Sequence, residues 1–148
     1  MFDPDTTRRM TDEELDDFLR TQGVGILALA KDGMAYAIPE SFGFDGGEIY
    51  FQFGYSDRSK KVQYMAKTVQ ACFVVYELNA ADDWRSVIAI GTLRQVTGDE
   101  ADHAAQTVAD NASSPGLSIV QRELDEFQFA TYALDIEELT GRTSAVGG

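Results

Sequence analysis

The chain has 148 residues, is 44% hydrophobic and carries a formal charge of −13 at pH 7, from 12 Lys and Arg against 25 Asp and Glu. That length and composition suit one globular domain with a real core and argue against disorder. The charge disfavours nucleic acid and anionic membranes, no apolar run nears the ~20 residues that span a bilayer, and one Cys (Cys72) with one His (His103) builds no convincing metal or Cys–His centre.

The polar stretch Met1–Met10 has no apolar signal-peptide core, so a cytoplasmic location is expected. Thr11-Asp12-Glu13-Glu14 reads as a capping box. It opens a helix from Asp12 to about Thr21, with Leu15, Phe18 and Leu19 at helical spacing and Gly23 as its stop. Val24–Ala30 is a compact apolar strand, and Asp32-Gly33 a tight hairpin turn. A strand over Met34–Phe44 then alternates. Met34, Tyr36, Ile38, Phe42 and Phe44 make one face bulky; Ala35, Ala37, Pro39, Ser41 and Gly43 leave the other nearly bare. Asp45-Gly46-Gly47 turns the chain into Glu48–Phe53, giving three strands in an antiparallel meander.

Ser56 can cap a helix from Asp57 to about Lys67, with Val62, Met65 and Ala66 facing the core. Gln70–Leu78 is apolar on both faces, as in a barrel wall. After an acidic turn, Asn79–Asp83, a long strand runs from Trp84 to about Val96, with a bulge or bend expected at Gly91. An alanine-rich helix from Thr97 through Ala112 carries His103, expected to face solvent. Phe127–Ile136 is the last strand, and Thr140–Gly148 a tail of small residues. Six strands with hairpin connections fit a mainly β, antiparallel Greek-key barrel forming a single domain.

Two features bear on function. Arg58, Ser59, Lys60 and Lys61 concentrate cations and a hydroxyl just after a strand, at a helix start, in a chain with only four lysines. Such a cluster can hold a phosphate, or be a solvated helix start; the acidic background, which repels anions elsewhere, favours the first. The bare strand face leaves room for a flat group against the backbone, or packs against a helix or second subunit, and Pro39 belongs at an edge or bulge. The crowded surface carboxylates, at Asp12–Asp17, Asp82–Asp83, Asp99–Asp102 and Glu123–Glu126, are the pattern of salt-loving organisms, of haloarchaeal type.

Tyr36-Ala37-Ile38-Pro39-Glu40-Ser41-Phe42, Ile49-Tyr50-Phe51-Gln52, Ser59-Lys60-Lys61 and Arg85-Ser86-Val87 before Gly91, in that order, make the chain resemble the pyridoxamine 5'-phosphate oxidase-like, FMN-binding split-barrel proteins. The resemblance implies a six-stranded split barrel binding FMN between two copies of a homodimer. It implies FMN contacts from Tyr36, Ala37, Ile38, Pro39, Glu40 and Ser41, then from Phe51 and Gln52. It implies a phosphate grip from Lys60 and Lys61 with Ser59 and Arg58, a flavin contact from Ser86, and a reach across the interface by Arg142. Trp84 and Tyr36 can wall the ring, or Trp84 can be ordinary core. The family's vitamin B6 oxidases end in a Trp-, Arg- and His-containing substrate motif. Here Leu139–Val146 has neither Trp nor His, so the resemblance stops short of that substrate. The expected activity is an FMN-dependent oxidoreductase acting on a small molecule. A non-catalytic flavin-storage protein and a deazaflavin-dependent reductase are the alternatives. No side chain is an evident catalytic acid or base; Glu40 is the one ionisable group beside the expected ring.

Overall fold

The computed structural model describes residues 7–55, 60–111 and 128–144. In chain order these form β1 (Thr7–Arg9), α1 (Asp12–Thr21), β2 (Val24–Lys31), β3 (Met34–Ser41), β4 (Gly43–Phe44) and β5 (Glu48–Tyr55). There follow α2 (Lys60–Lys67), β6 (Ala71–Ala80), β7 (Asp83–Val96), α3 (Gly98–Asn111) and β8 (Gln128–Ser144). The protein is thus mainly β, with three helices among the described residues.

The local signals act where the sequence places them. Thr11 caps α1: its hydroxyl accepts from the Glu14 N–H at 3.2 Å, and the Glu14 carboxylate accepts from the Thr11 N–H at 2.9 Å. Leu15, Phe18 and Leu19 are the buried face of that helix. The β2–β3 hairpin turns through Asp32 and Gly33, both at positive φ (51° and 77°), the backbone that a two-residue turn matched to strand twist requires.

One antiparallel sheet takes the order β3-β2-β6-β7-β8-β5-β4, with β1 paired to β8. It curls round so that its two halves face each other. Phe51 of β5 meets Phe73 of β6 with ring centroids 5.0 Å apart, although two strands separate them along the sheet. Phe42, completely buried, passes between the two sheet edges and packs edge-on against Phe73 at 5.1 Å. Leu27, Phe53, Val75, Val87 and Leu134 complete the interior. On the outside of the β5–β8 wall, Ala104 and Val108 of α3 cover Tyr50, Val96 and Ala133 in a second small core.

Four expectations need correction. There are eight strands among the described residues rather than six, because Phe42 breaks the expected Met34–Phe44 strand and Thr7–Arg9 adds another. The three-strand meander is not formed: β3 pairs only with β2, while β4 and β5 pair with each other at the opposite edge. Burying Phe42 forces this, since the chain must cross from one edge to the other. Thr140–Ser144 is not tail but the end of β8, paired with β7 and β1. On α2 the buried residues are Tyr64 and Met65, and Ala66 faces solvent. The expected Ser56 cap and the Phe127 strand start lie outside the described residues. The Gly91 expectation holds: pairing shifts from Ile90↔Glu138 to Gly91↔Ile136. Pro39 sits on an edge strand, as expected. None of the described helices is long and apolar enough to cross a membrane.

Candidate functional site

The lysines gather around α2. Lys60, Lys61 and Lys67 lie on that helix, and Lys31, the remaining one of the chain's four lysines, reaches over the Tyr64 ring of α2 from the end of β2, its Nζ 5.8 Å from the centroid. Thr68, just past the helix, fixes its C-terminal end to β2: the hydroxyl lies 3.2 Å from the Ala30 N–H and 3.1 Å from the Ala30 carbonyl. The arginines are spent differently. Arg8, Arg20, Arg85 and Arg94 each bind carboxylates, Arg94 three of them (Glu48, Glu100 and Asp135). Among the described residues, Lys31, Lys60 and Lys67 have no carboxylate within ion-pair distance; of the arginines, Arg9 and Arg142 on the paired β1 and β8 share that state.

At the N-terminal end of α2, aromatic faces hold the ammonium groups. Lys60 Nζ lies 5.2 Å from the Tyr36 centroid and 5.8 Å from that of Tyr64, whose own centroids are 5.0 Å apart. Lys61 Nζ lies 4.8 Å from the Phe53 centroid and 2.6 Å from Glu40 Oε1. Ring faces attract cations without neutralising them, whereas the Glu40 contact is a full ion pair. Burial pushes the Glu40 carboxyl pKa up, against the opposing pull of Lys61. Tyr64 and Phe53 were missed at the sequence level. Lys60 and Tyr64 stand at i and i+4 on a helix, a spacing that could have flagged Tyr64; Phe53 carried no such mark.

β3 turns two different faces. Tyr36, Ile38 and Glu40 point toward α2 and the core, whereas Ala35, Ala37 and Pro39 are exposed on the outside of the sheet. β3 is an edge strand, so part of its backbone has no ladder partner. The outer surface continues across the sheet in register. One row runs Pro39, Ile26, Val74, Ile88 and Thr140; the next runs Ala37, Ala28, Cys72, Ile90 and Glu138. Val24, Tyr76, Leu78 and Ile88 are exposed apolar residues of this face.

The expected site residues therefore fall into groups. Tyr36 meets Lys60 and Glu40 meets Lys61 beside α2, while Ile38, on the same side of β3, packs against the core. Ala37, Pro39 and Ser41 share the outer face with Ser86 and Arg142, which pair with each other three and four strands away, about 14 and 19 Å. Phe51 is completely buried inside the barrel. Gln52 faces the opposite way, on the wall shared by β5 and β8, apart from both groups. Arg58 and Ser59 lie outside the described residues. Arg142 donates through Nη2 to Thr7 Oγ1 at 3.0 Å, while its buried Nε has no partner. Arg85, next to Ser86, points inward to Glu77 at 2.6 Å. His103 is exposed, as expected, and its Nε2 also lies 3.1 Å from Asp45 Oδ2, which accepts from Tyr50 at 2.9 Å.

These residues fit a phosphorylated planar ligand. Uncommitted cations lie beside β3, and small side chains and free backbone groups line the outer side of that strand. Among the described residues no His, Cys, Asp and Glu side chains are grouped to hold a metal ion.

The family model described as pyridoxamine 5'-phosphate oxidase matches residues 11–143. Among solved structures, a FAD-binding protein from Mesorhizobium loti superposes with a TM-score of 0.68 at 25% identity, covering 93% of this chain and 96% of that one. A FAD-binding protein from Mycobacterium smegmatis gives 0.62 at 17% identity, covering 92% and 98%. A FAD and haem binding protein from the same organism gives 0.67 at 19%, covering 94% and 73%. No curated protein sequence matches the chain.

Proposed function

We propose that this chain, which belongs to the pyridoxamine 5'-phosphate oxidase family, binds flavin mononucleotide and serves as an oxidoreductase for a small molecule. The observation that carries this reading is the gathering of all four lysines around α2, in a protein of charge −13. A dianionic phosphate needs two or three cations or N–H donors, and Lys60 and Lys61 supply two beside β3. The exposed side of β3, with Ala35, Ala37 and Pro39, lets a ring system lie close to backbone, and the edge offers hydrogen-bonding groups to its polar rim.

The bound flavin would supply the hydride and electron transfer. The chain's own residues bind, orient and shield it. A second copy of the chain, laid on the outer face of β2, β3, β6 and β7, would exclude water and bring Ser86 and Arg142 toward the neighbour's ligand. The exposed Val24, Tyr76, Leu78 and Ile88 support that arrangement, being an apolar surface of the kind that marks an interface.

The relative from Mesorhizobium loti, named as FAD-binding, favours a second reading in which the nucleotide is FAD. Mass spectrometry of the molecule released on denaturing freshly purified protein separates the two. FMN is expected; FAD would replace it in this scheme, and colourless protein that takes up neither on addition would end the flavin reading.

A further inference from the structure

We propose that Glu40 sets the affinity of this site for phosphorylated ligands by competing with the phosphate for Lys61. The proposal rests on the reading of the α2 lysines as phosphate-binding.

The pair is secluded as well as short. Its separation is 2.6 Å, and the side chains of Lys61 and Glu40 are only 25% and 10% exposed. Lys61 is confined on another side by the Phe53 ring, 4.8 Å from its Nζ. Among the described residues, Lys60, one residue away, has only the faces of Tyr36 and Tyr64. Two neighbouring lysines therefore differ in kind: Lys60 presents its charge to any anion, while Lys61 is already neutralised. A phosphate that engages both meets the Glu40 carboxylate at the position it would occupy on Lys61. It must displace that carboxylate and tolerate its charge nearby, and like charges in a half-buried setting repel strongly.

The carboxylate is also poorly served where it stands. Burial already raises its pKa, and Lys61 is the one charged group opposing that effect. Among the described residues no other charged side chain is paired with it. A carboxylate held by one lysine in a desolvated position is a weak competitor rather than a permanent lock. Ligands without a phosphate have no use for Lys61 and escape the penalty. Glu40 thus narrows the gap between phosphorylated and unphosphorylated flavin, and keeps the former exchangeable.

Dissociation constants for FMN and riboflavin, from quenching of flavin fluorescence, test this on flavin-stripped wild type, Glu40→Gln and Glu40→Leu. Calorimetric titration with inorganic phosphate runs alongside, and thermal melts check that each variant is folded. The expected result is FMN binding about tenfold tighter in the folded variants, riboflavin unchanged and inorganic phosphate tighter. FMN affinity unchanged or weakened in the variants overturns the proposal, as does an equal gain for riboflavin, which would put Glu40 beside the ring. If no protein binds flavin yet the variants bind phosphate more tightly, the competition stands and the flavin reading falls. If the variants bind neither ligand, the competition is overturned.

Discussion

Gly91 and Asp135 approach so closely that a β-carbon on Gly91 would stand 2.0 Å from the Asp135 carbonyl oxygen. The contact belongs to the shift at Ile90 and Gly91, where Glu137 is the extra residue on β8. The bulge lets one long strand serve two walls: its first half lies along β5 beneath α3, and its second runs between β7 and β1, bringing Arg142 level with Ser86.

Gly91→Ala should therefore destabilise the protein by about 3 kcal/mol, because the neighbour that must move is backbone. For a chain of this size that is a fall of roughly 9 °C in Tm. A calorimetric melt within a degree of wild type would mean that the bulge is softer than its geometry implies.

Replacing Lys61 by Ala, or Lys60 by Ala, should weaken FMN binding about tenfold or more, since a charge-assisted contact contributes about 1.5–3 kcal/mol. Riboflavin affinity should stay the same. Equal losses for both ligands would move the phosphate away from α2.

If two copies meet through the outer sheet face, Ile88→Glu should split them. Ile88 lies at the centre of that face, between Val74 and Thr140, and is 39% exposed in the single chain. Burying an unpaired carboxylate in an apolar interface is expensive. Sedimentation velocity should show a dimer for wild type and a monomer for the variant; a wild type that is monomeric at micromolar concentration contradicts the arrangement.

Acid should weaken the corner where α3 meets β4 and β5. Burial raises the Asp45 pKa, but the N–H groups of Glu48 and Gly47, His103 and the Tyr50 hydroxyl outweigh it, bringing the value from 3.8 to about 2. The unfolded chain therefore takes up a proton before the folded one does. This stabilisation is complete above about pH 5 and is lost as pH falls toward 2, amounting to at most about 2.5 kcal/mol. Urea unfolding between pH 2.5 and 5 should show a shallower pH slope in Asp45→Asn than in wild type. Identical slopes would remove Asp45 from the account.

Salt should stabilise the fold. A chain of charge −13 repels itself, and at 1 M salt the screening length falls to about 3 Å. Thermal midpoints should climb as KCl is raised from 0.1 to about 2 M; a flat or falling curve would show that the carboxylates are already balanced by their arginine partners.

What could be read from the chain alone was short in range. The Thr11–Glu14 capping box, the Asp32-Gly33 turn, the alternation of β3 and the cation cluster each depend on neighbours within a few positions, where backbone geometry dictates the contacts. Only tertiary packing decided the rest. Phe42 left its strand because a large ring gains more inside the barrel than a ladder position offers, and this carried the chain to the other sheet edge. The same packing set Glu40 against Lys61, twenty-one positions on, and left the bare side of β3 outside. Such choices belong to the pairing of distant segments, which a local pattern does not encode.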